Sequence, residues 1–272
     1  MADGTFESLR AAYEGIESAS GFAGPADVAA YRHAALEKTA EQADFVAGFV
    51  EGPGSAVELG CGNGRMLIAL ADAGVIDRGL GIDIASSRVA FAREWAAAAG
   101  AADRLAFVAG DALEEDLGHG HALALCITGA FGYFDAHVPG SDRRVLERLR
   151  DALRPGGRLV LELYQHPLEI DLIGRAGGRL RLWHELPPSD PWRFYLSDIS
   201  VEGRRMTHRK TFVHRTDGTV DDAREESITI YTAAELDAML TAAGYVDVEL
   251  RAGWSDAPYD GGKFLVITAR RA

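Results

Sequence analysis

Three carboxylates stand beside glycine-containing turns. They are Glu58 in AVELGCGNGR, Asp83 in GLGIDIASS and Asp111 in FVAGDALEED. Gly60, Gly62 and Gly64 occupy alternate positions after Glu58, and glycines are costly to order. Such a loop lets a ligand approach the backbone. A dinucleotide fingerprint has its third glycine one residue later and offers the loop and helix N-terminus to a pyrophosphate. Glu58 would repel that anion and suits a cation. Asp83 could accept from both hydroxyls of a ribose. Asp111 could accept from an adenine amino group, with Ala112 and Leu113 in apolar contact with the ring. Taken singly, the loop reads equally as a tight turn, Asp83 as a helix N-terminal acid and Asp111 as a turn residue. Jointly they describe a ligand with a cationic head, a ribose and an adenine.

Further candidates follow in CITGAFGYFD and LELYQHP. Phe131 and Tyr133 could wall a reacting cation by cation–π attraction, or simply pack a loop. Tyr164 and His166 follow the next apolar strand, and His166 has the pKa range of a general base unless it is a solvated loop residue. His184, His208 and His214 could face either way. The acids and histidines form no spacing that holds a metal, so none is expected.

The elements that must position these groups alternate in type. Short apolar strands are expected over 56–59, 79–84, 105–109, 122–128 and 158–163. Helices are expected over 65–73, 87–99 and 142–153, and over 6–50 with breaks at Gly21, Gly24 and Pro25. This rhythm implies parallel strands joined by crossovers, a doubly wound α/β sheet covered on both faces. After His166 the pattern switches. RLRLWHEL, RFYLSDISV, RMTHRKTFVHR and REESITIY alternate polar and apolar residues, as an antiparallel meander does. A helix over 233–243 and two closing strands over 246–251 and 264–269 complete the chain. The meander is an insertion rich in aromatics (Trp183, Trp192, Phe194, Tyr195, Phe212). It suits a lid over an acceptor, an oligomer interface, or both. Trp192 and Tyr195 are its candidates for substrate contact.

The ligand that fits the three carboxylates is S-adenosylmethionine, which has a sulfonium, an ammonium and no phosphate. ELGCGNGR, GIDIASS, GDAL, GAFGYFD, LRPGGRLVLEL and the closing AAGY resemble the seven-stranded class I S-adenosylmethionine-dependent methyltransferases of small-molecule type. The resemblance covers roughly residues 40–165 and 228–270. It implies a Rossmann-like seven-stranded sheet with an antiparallel last strand. It also implies that Glu58, Gly60 and Gly62 line the methionine moiety, Asp83 the ribose, and Asp111 and Ala112 the adenine. Cys61, Ile84, Thr128 and Tyr31 fall within the same cofactor set. In small-molecule members, N-terminal helix residues often close over the cofactor, which makes Tyr13, Tyr31 and Arg32 candidates, with Tyr13 and Phe131 on the acceptor side. One departure is His121, where the family usually has an acid. The chain then divides into a helical cap (1–50), a Rossmann-like core (51–165 and 229–272) and an inserted antiparallel β lid or oligomerisation element (166–228). The expected reaction is methyl transfer to a small molecule, with amine nitrogen ahead of hydroxyl oxygen or carbon, in bacterial secondary metabolism. The alternatives are cofactor-dependent cyclisation or decarboxylation, or cofactor binding without catalysis. An Asp/Asn-Pro-Pro-aromatic signature after the fourth strand is absent, which disfavours adenine, cytosine and glutamine amides.

Composition bounds the partners. The 272 residues carry a net charge of -13 and are 47% hydrophobic. An acidic chain disfavours general nucleic-acid binding and docking on an anionic membrane. Two cysteines, Cys61 and Cys126, make no disulfide framework, and MADGTFESLR does not read as a signal peptide. A cytoplasmic protein with a small-molecule substrate, assembling as a homo-oligomer through the β insertion, is the expectation.

Overall fold

The structure is a computed structural model and describes residues 7–14, 24–188, 190 and 192–272. The predicted break at Gly21 lies outside these residues. Helices α1 (Glu7–Tyr13) and α2 (Pro25–Ala47) precede β1 (Gly54–Leu59). Then come α3 (Arg65–Asp72), β2 (Ile76–Asp83), α4 (Ser86–Ala98), β3 (Leu105–Ala109), β4 (His121–Cys126), α5 (Phe131–His137), α6 (Ser141–Ala152) and β5 (Leu153–Tyr164). After α7 (Pro167–Arg175) the strands β6 (Arg179–Glu185), β7 (Trp192–Glu202), β8 (Arg205–His214) and β9 (Val220–Thr229) follow. The chain closes with α8 (Ala233–Ala242), β10 (Tyr245–Ala252) and β11 (Phe264–Arg271).

The large sheet has the order β10-β11-β5-β4-β1-β2-β3. β1 through β5 run parallel, β11 is antiparallel to β5, and β10 is antiparallel to β11. Buried parallel strands read as continuous apolar runs, and every residue of β4 is buried. Successive residues of β1 serve opposite faces. Ala56 packs with Leu67, Leu70, Val89 and Trp95 from α3 and α4, while Val57 packs with Leu146, Leu149, Leu236 and Leu240 from α6 and α8. The sheet is therefore doubly wound, as the alternation predicts. Helix α8 starts where its sequence says, because Thr232 and Glu235 satisfy each other's backbone N–H groups in a capping box.

The glycine loop after β1 has a local cause that the sequence does not display. Gly60, Gly62 and Gly64 all have positive φ (69°, 55° and 78°), where a side chain is strained. A Cβ on Gly60 would lie 2.6 Å from the Ala130 methyl group, and one on Gly64 would lie 2.7 Å from the Phe107 ring. The loop is hemmed in by protein as well as shaped for a ligand.

The meander forms a separate sheet in the order β6-β7-β8-β9, antiparallel throughout. It lies over α1 and α5 through β9, on a small core of Ile173, Ile199 and Met206. Two expectations need correction. The segment after His166 opens with helix α7, since Pro167 sits well in a helical first turn and Ile173 gives it a buried anchor. GAFGYFD after β4 is the helix α5, whose Phe131 and Phe134 are buried.

Candidate active site

Two cavities open at the carboxyl ends of the central strands, where ligands of open α/β sheets bind. The first encloses about 760 Å³ of empty space open to solvent. Its floor comes from Gly60, Asp83, Ile84, Gly110, Asp111 and Ala112, and its cover from Leu9 and Tyr13 of α1. The second, of about 920 Å³, lies between β5, α5 and the meander. Tyr13, Thr128 and Tyr133 line both.

The first cavity fits the implied cofactor. Asp83 ends β2 with its Oδ2 accepting the Gly62 N–H at 2.7 Å and its Oδ1 accepting the Ala85 N–H at 2.9 Å. Each oxygen keeps a lone pair for a ribose hydroxyl. Asp111 is fixed by the Leu113 N–H donating to its Oδ1 at 2.8 Å. Glu58 is buried beneath the loop, and its Oε2 has no hydrogen-bond partner. Burial pushes its carboxyl up to about 8, against the opposing pull of Arg65. A buried carboxylate oxygen without a partner is what an ammonium group would satisfy.

Thr128 forms the boundary between the cavities in an unusual conformation. Its φ is 58°, a region that β-branched residues avoid. The carboxylate of the buried Glu162 accepts the Thr128 N–H at 2.8 Å and the Trp254 indole N–H at 2.8 Å. Arg65 donates to the Thr128 hydroxyl at 3.3 Å.

Where the cavities meet, Tyr133 and Tyr13 place their hydroxyls 2.5 Å apart. Both lie within reach of Glu226 Oε2, at 3.1 and 3.3 Å respectively. Burial, with Glu226 adding to it, pushes Tyr13 upward, and burial raises Tyr133 as well, so both stay protonated donors. Glu226 Oε1 pairs with Lys210. His208 Nε2 bonds the Ser197 hydroxyl at 2.5 Å and the Tyr195 hydroxyl at 3.0 Å. Burial, helped by the Lys210 charge, lowers His208 to about 4. Burial also lowers His166. Both imidazoles are thus neutral near pH 7.

The structure sorts the expected residues. Gly60, Asp83, Ile84, Asp111, Ala112 and Thr128 line the first cavity, while Tyr164 and His166 line the second. Tyr13 and Tyr133 stand between them. Cys61 is buried under the loop against Gly81 and does not line the cleft, and Gly62 contributes its N–H to Asp83 instead. Tyr31 accepts from the Asn63 amide at 3.0 Å, outside the cleft lining. Phe131 is no acceptor wall: it is fully buried against Tyr231 and Phe134. Trp192 and Tyr195 do not line the acceptor cavity either. Trp192 is tilted against Phe212 while Tyr195 stacks on it, and Tyr195 reaches the cavity only through His208.

The second cavity is instead walled by Met206, His208 and Lys210 of β8 with Glu226 and Ile228 of β9. The i, i+2, i+4 spacing of the first three is a strand-face signal that was present in RMTHRK. Among the described residues there is no group of three or more metal-ligating side chains, and no helix is long and apolar enough to cross a membrane.

Comparison with known proteins agrees with this geometry. Residues 56–157 match the family model described as a methyltransferase domain. No curated protein sequence matches the chain. Among solved structures, the CcbJ methyltransferase from Streptomyces caelestis is similar at 20% identity and a TM-score of 0.72, covering 98% of this chain and 99% of its own. The amino pentose methyltransferase CalS10 from Micromonospora echinaspora, involved in calicheamicin biosynthesis and solved with S-adenosylmethionine bound, matches at 21% identity and a TM-score of 0.64, over 93% of this chain and 99% of its own. The glycopeptide N-methyltransferase MtfA matches at 18% identity and a TM-score of 0.55, over 86% of this chain and 90% of its own. The matched methyltransferase domain spans the glycine loop, Asp83, Asp111 and β4, and the solved structures share this chain's Rossmann-like methyltransferase fold.

Proposed function

We propose that the chain methylates a small molecule held in the second cavity, at an amine nitrogen in preference to a hydroxyl oxygen or a carbon. One observation carries this reading: the two cavities meet at Tyr13, Thr128 and Tyr133, and the far cavity is walled by two imidazoles that burial keeps neutral. The bound cofactor supplies an electrophilic methyl group on its sulfonium. An amine must lose its proton before it can attack, and a neutral His166 can take that proton. Tyr133 and Tyr164 orient the acceptor through hydroxyls on either side of the Thr128 turn. The first cavity holds the cofactor through Asp83 at the ribose, Asp111 and Ala112 at the adenine, and Glu58 with the glycine loop at the methionine end.

The names of two relatives support nitrogen, since one acts on an amino pentose and another is an N-methyltransferase of glycopeptides. The link of CalS10 to calicheamicin biosynthesis supports a role in secondary metabolism. We assign residues 1–50 to the cap, 51–165 and 229–272 to the cofactor core, and 166–228 to the acceptor lid. The test is incubation with methyl-labelled cofactor and a panel of amino sugars, other amines, phenols and carboxylates. Label in an amine product is expected. Tight cofactor binding with no transfer to any of them would turn the reading toward non-methylating chemistry.

A further inference from the structure

We propose that Glu226, a residue of the acceptor wall, is a positioning residue for the cofactor: with Lys210 it clamps Tyr13, and through it helix α1, over the cofactor cavity. The inference rests on the cofactor reading of the first cavity. Glu226 lines only the second cavity, so any effect on the first must pass through other side chains. The path is short. Lys210 pairs with Glu226 Oε1, which fixes the carboxylate and leaves Oε2 aimed at the two tyrosines.

Two phenol protons serve three oxygen contacts, so only two can be hydrogen bonds at one time. The shorter pair of contacts gives Tyr13 donating to Tyr133 at 2.5 Å and Tyr133 donating to Glu226 at 3.1 Å. Both phenols are buried and protonated, which makes the anion the natural terminus of the chain. Tyr13 and Leu9 then form the cover of the cofactor cavity.

The residue that follows Tyr13, at the same end of α1, is tied to the core. Glu14 accepts from Ser86 N–H at 2.7 Å, Ser86 hydroxyl at 2.9 Å and Ser87 N–H at 3.0 Å, at the N-terminus of α4. Burial pushes Glu14 up, but these bonds outweigh it and hold the carboxyl down to about 2. An acid at a helix N-terminus is also favoured by the helix dipole. The C-terminal end of the cover is thus held on the cofactor core, through Glu14 and the Arg88 guanidinium 5.9 Å from the Tyr13 ring, and on the wall of the second cavity through Glu226. Only the second can report what occupies the acceptor cavity.

The experiment measures dissociation of S-adenosylhomocysteine, which needs no acceptor. Stopped-flow displacement on the full chain compares the wild type with Glu226→Gln, Lys210→Met, Tyr13→Phe and the double variant Glu226→Gln/Tyr13→Phe. Loosening the chain, by neutralising its anionic end in Glu226→Gln or by cutting the phenol–phenol bond in Tyr13→Phe, should raise the off-rate about three- to tenfold. Lys210→Met should give a smaller rise. The double variant should be no faster than the faster single one, because both changes cut the same chain. Leu196→Ser, on the exposed outer face of the meander, should match the wild type. An unchanged off-rate in Glu226→Gln, or additive effects in the double variant, would overturn the clamp. Tyr13→Phe lies on α1 and leaves the meander intact, so it decides the matter should Glu226→Gln disturb the small sheet. A wild type that binds no S-adenosylhomocysteine would instead defeat the cofactor reading itself.

Discussion

Glu162 accepts the backbone N–H of Thr128 at 2.8 Å, and the residue it holds is a threonine at φ 58°. A left-handed β-branched residue costs on the order of 1–3 kcal/mol and persists only where its surroundings enforce it. Glutamine at 162 would set an amide against one of two N–H donors, Thr128 or Trp254, which a carboxylate satisfies together. Glu162→Gln should therefore lower methyl-transfer kcat with a smaller effect on cofactor affinity. Adding Thr128→Gly, which suits the left-handed region, should recover part of the lost stability. Thermal melts and steady-state kinetics on the two single variants and the pair check this. A Glu162→Gln protein with wild-type kcat would show that the turn holds itself.

Asp83 holds the glycine loop, and in the proposed function it holds the ribose as well. Asp83→Ala removes the acceptor for Gly62 and Ala85 as well as for the ligand. Charge-assisted bonds are worth about 1.5–3 kcal/mol each, so cofactor affinity should fall at least about tenfold. Asp83→Asn keeps one acceptor oxygen and should fall less. Calorimetric titration with S-adenosylhomocysteine separates these outcomes, and equal affinity in a folded Asp83→Ala variant would remove Asp83 from the cofactor site.

Glu58 makes cofactor binding a protonation event. Its carboxyl is raised to about 8 by burial, so without ligand it is mostly protonated at pH 7. An ammonium brought against its unpartnered Oε2 favours the charged form. Binding at pH 7 should then release up to about one proton. The slope of binding enthalpy against buffer ionisation enthalpy reads this directly. Glu58→Gln should bring the slope close to zero, and a zero slope in the wild type would place the ammonium elsewhere.

His208 should impose an acid limit on stability. Its folded value is lowered to about 4 from the usual 6.5, so the unfolded chain binds the extra proton first. The contribution is fully present above about pH 6.5 and is lost as pH falls through 6.5 toward 4. Denaturation midpoints measured from pH 7 to pH 4 should drop less steeply in His208→Asn than in the wild type. Parallel curves would mean that the histidine is already charged in the native protein.

The lining of the first cavity was legible because its placement is local. Glu58, Gly60, Asp83 and Asp111 each stand at the end of a strand, and the strand ends are set by apolar runs that a sequence shows. The lining of the second cavity was not. His208 could be placed on the meander, but alternation gives two faces and no sign of which one turns inward. That choice is made by Ile173 on α7, together with Ile199 and Met206, which must share a buried face. Trp192 and Tyr195 misled because aromatic content marks a packed surface as readily as a pocket. Phe131 misled for a related reason: GAFGYFD winds into α5, and the turn sends Phe131 into the core while Tyr133 stays at the cavity. The pairing of Glu226 with residues more than ninety positions away leaves no local trace.

No strand of the four-stranded sheet pairs with the seven-stranded one among the described residues. Hydrogen-bond register in one therefore places no demand on register in the other. A substitution at His208, which lines the second cavity outside the small core of Ile173, Ile199 and Met206, can change that cavity without moving Asp83 or Asp111. If the second cavity holds the acceptor, a lineage carrying this scaffold can change what it methylates by drift on the meander, while the residue that resists such drift is Glu226, because it answers to both chambers at once.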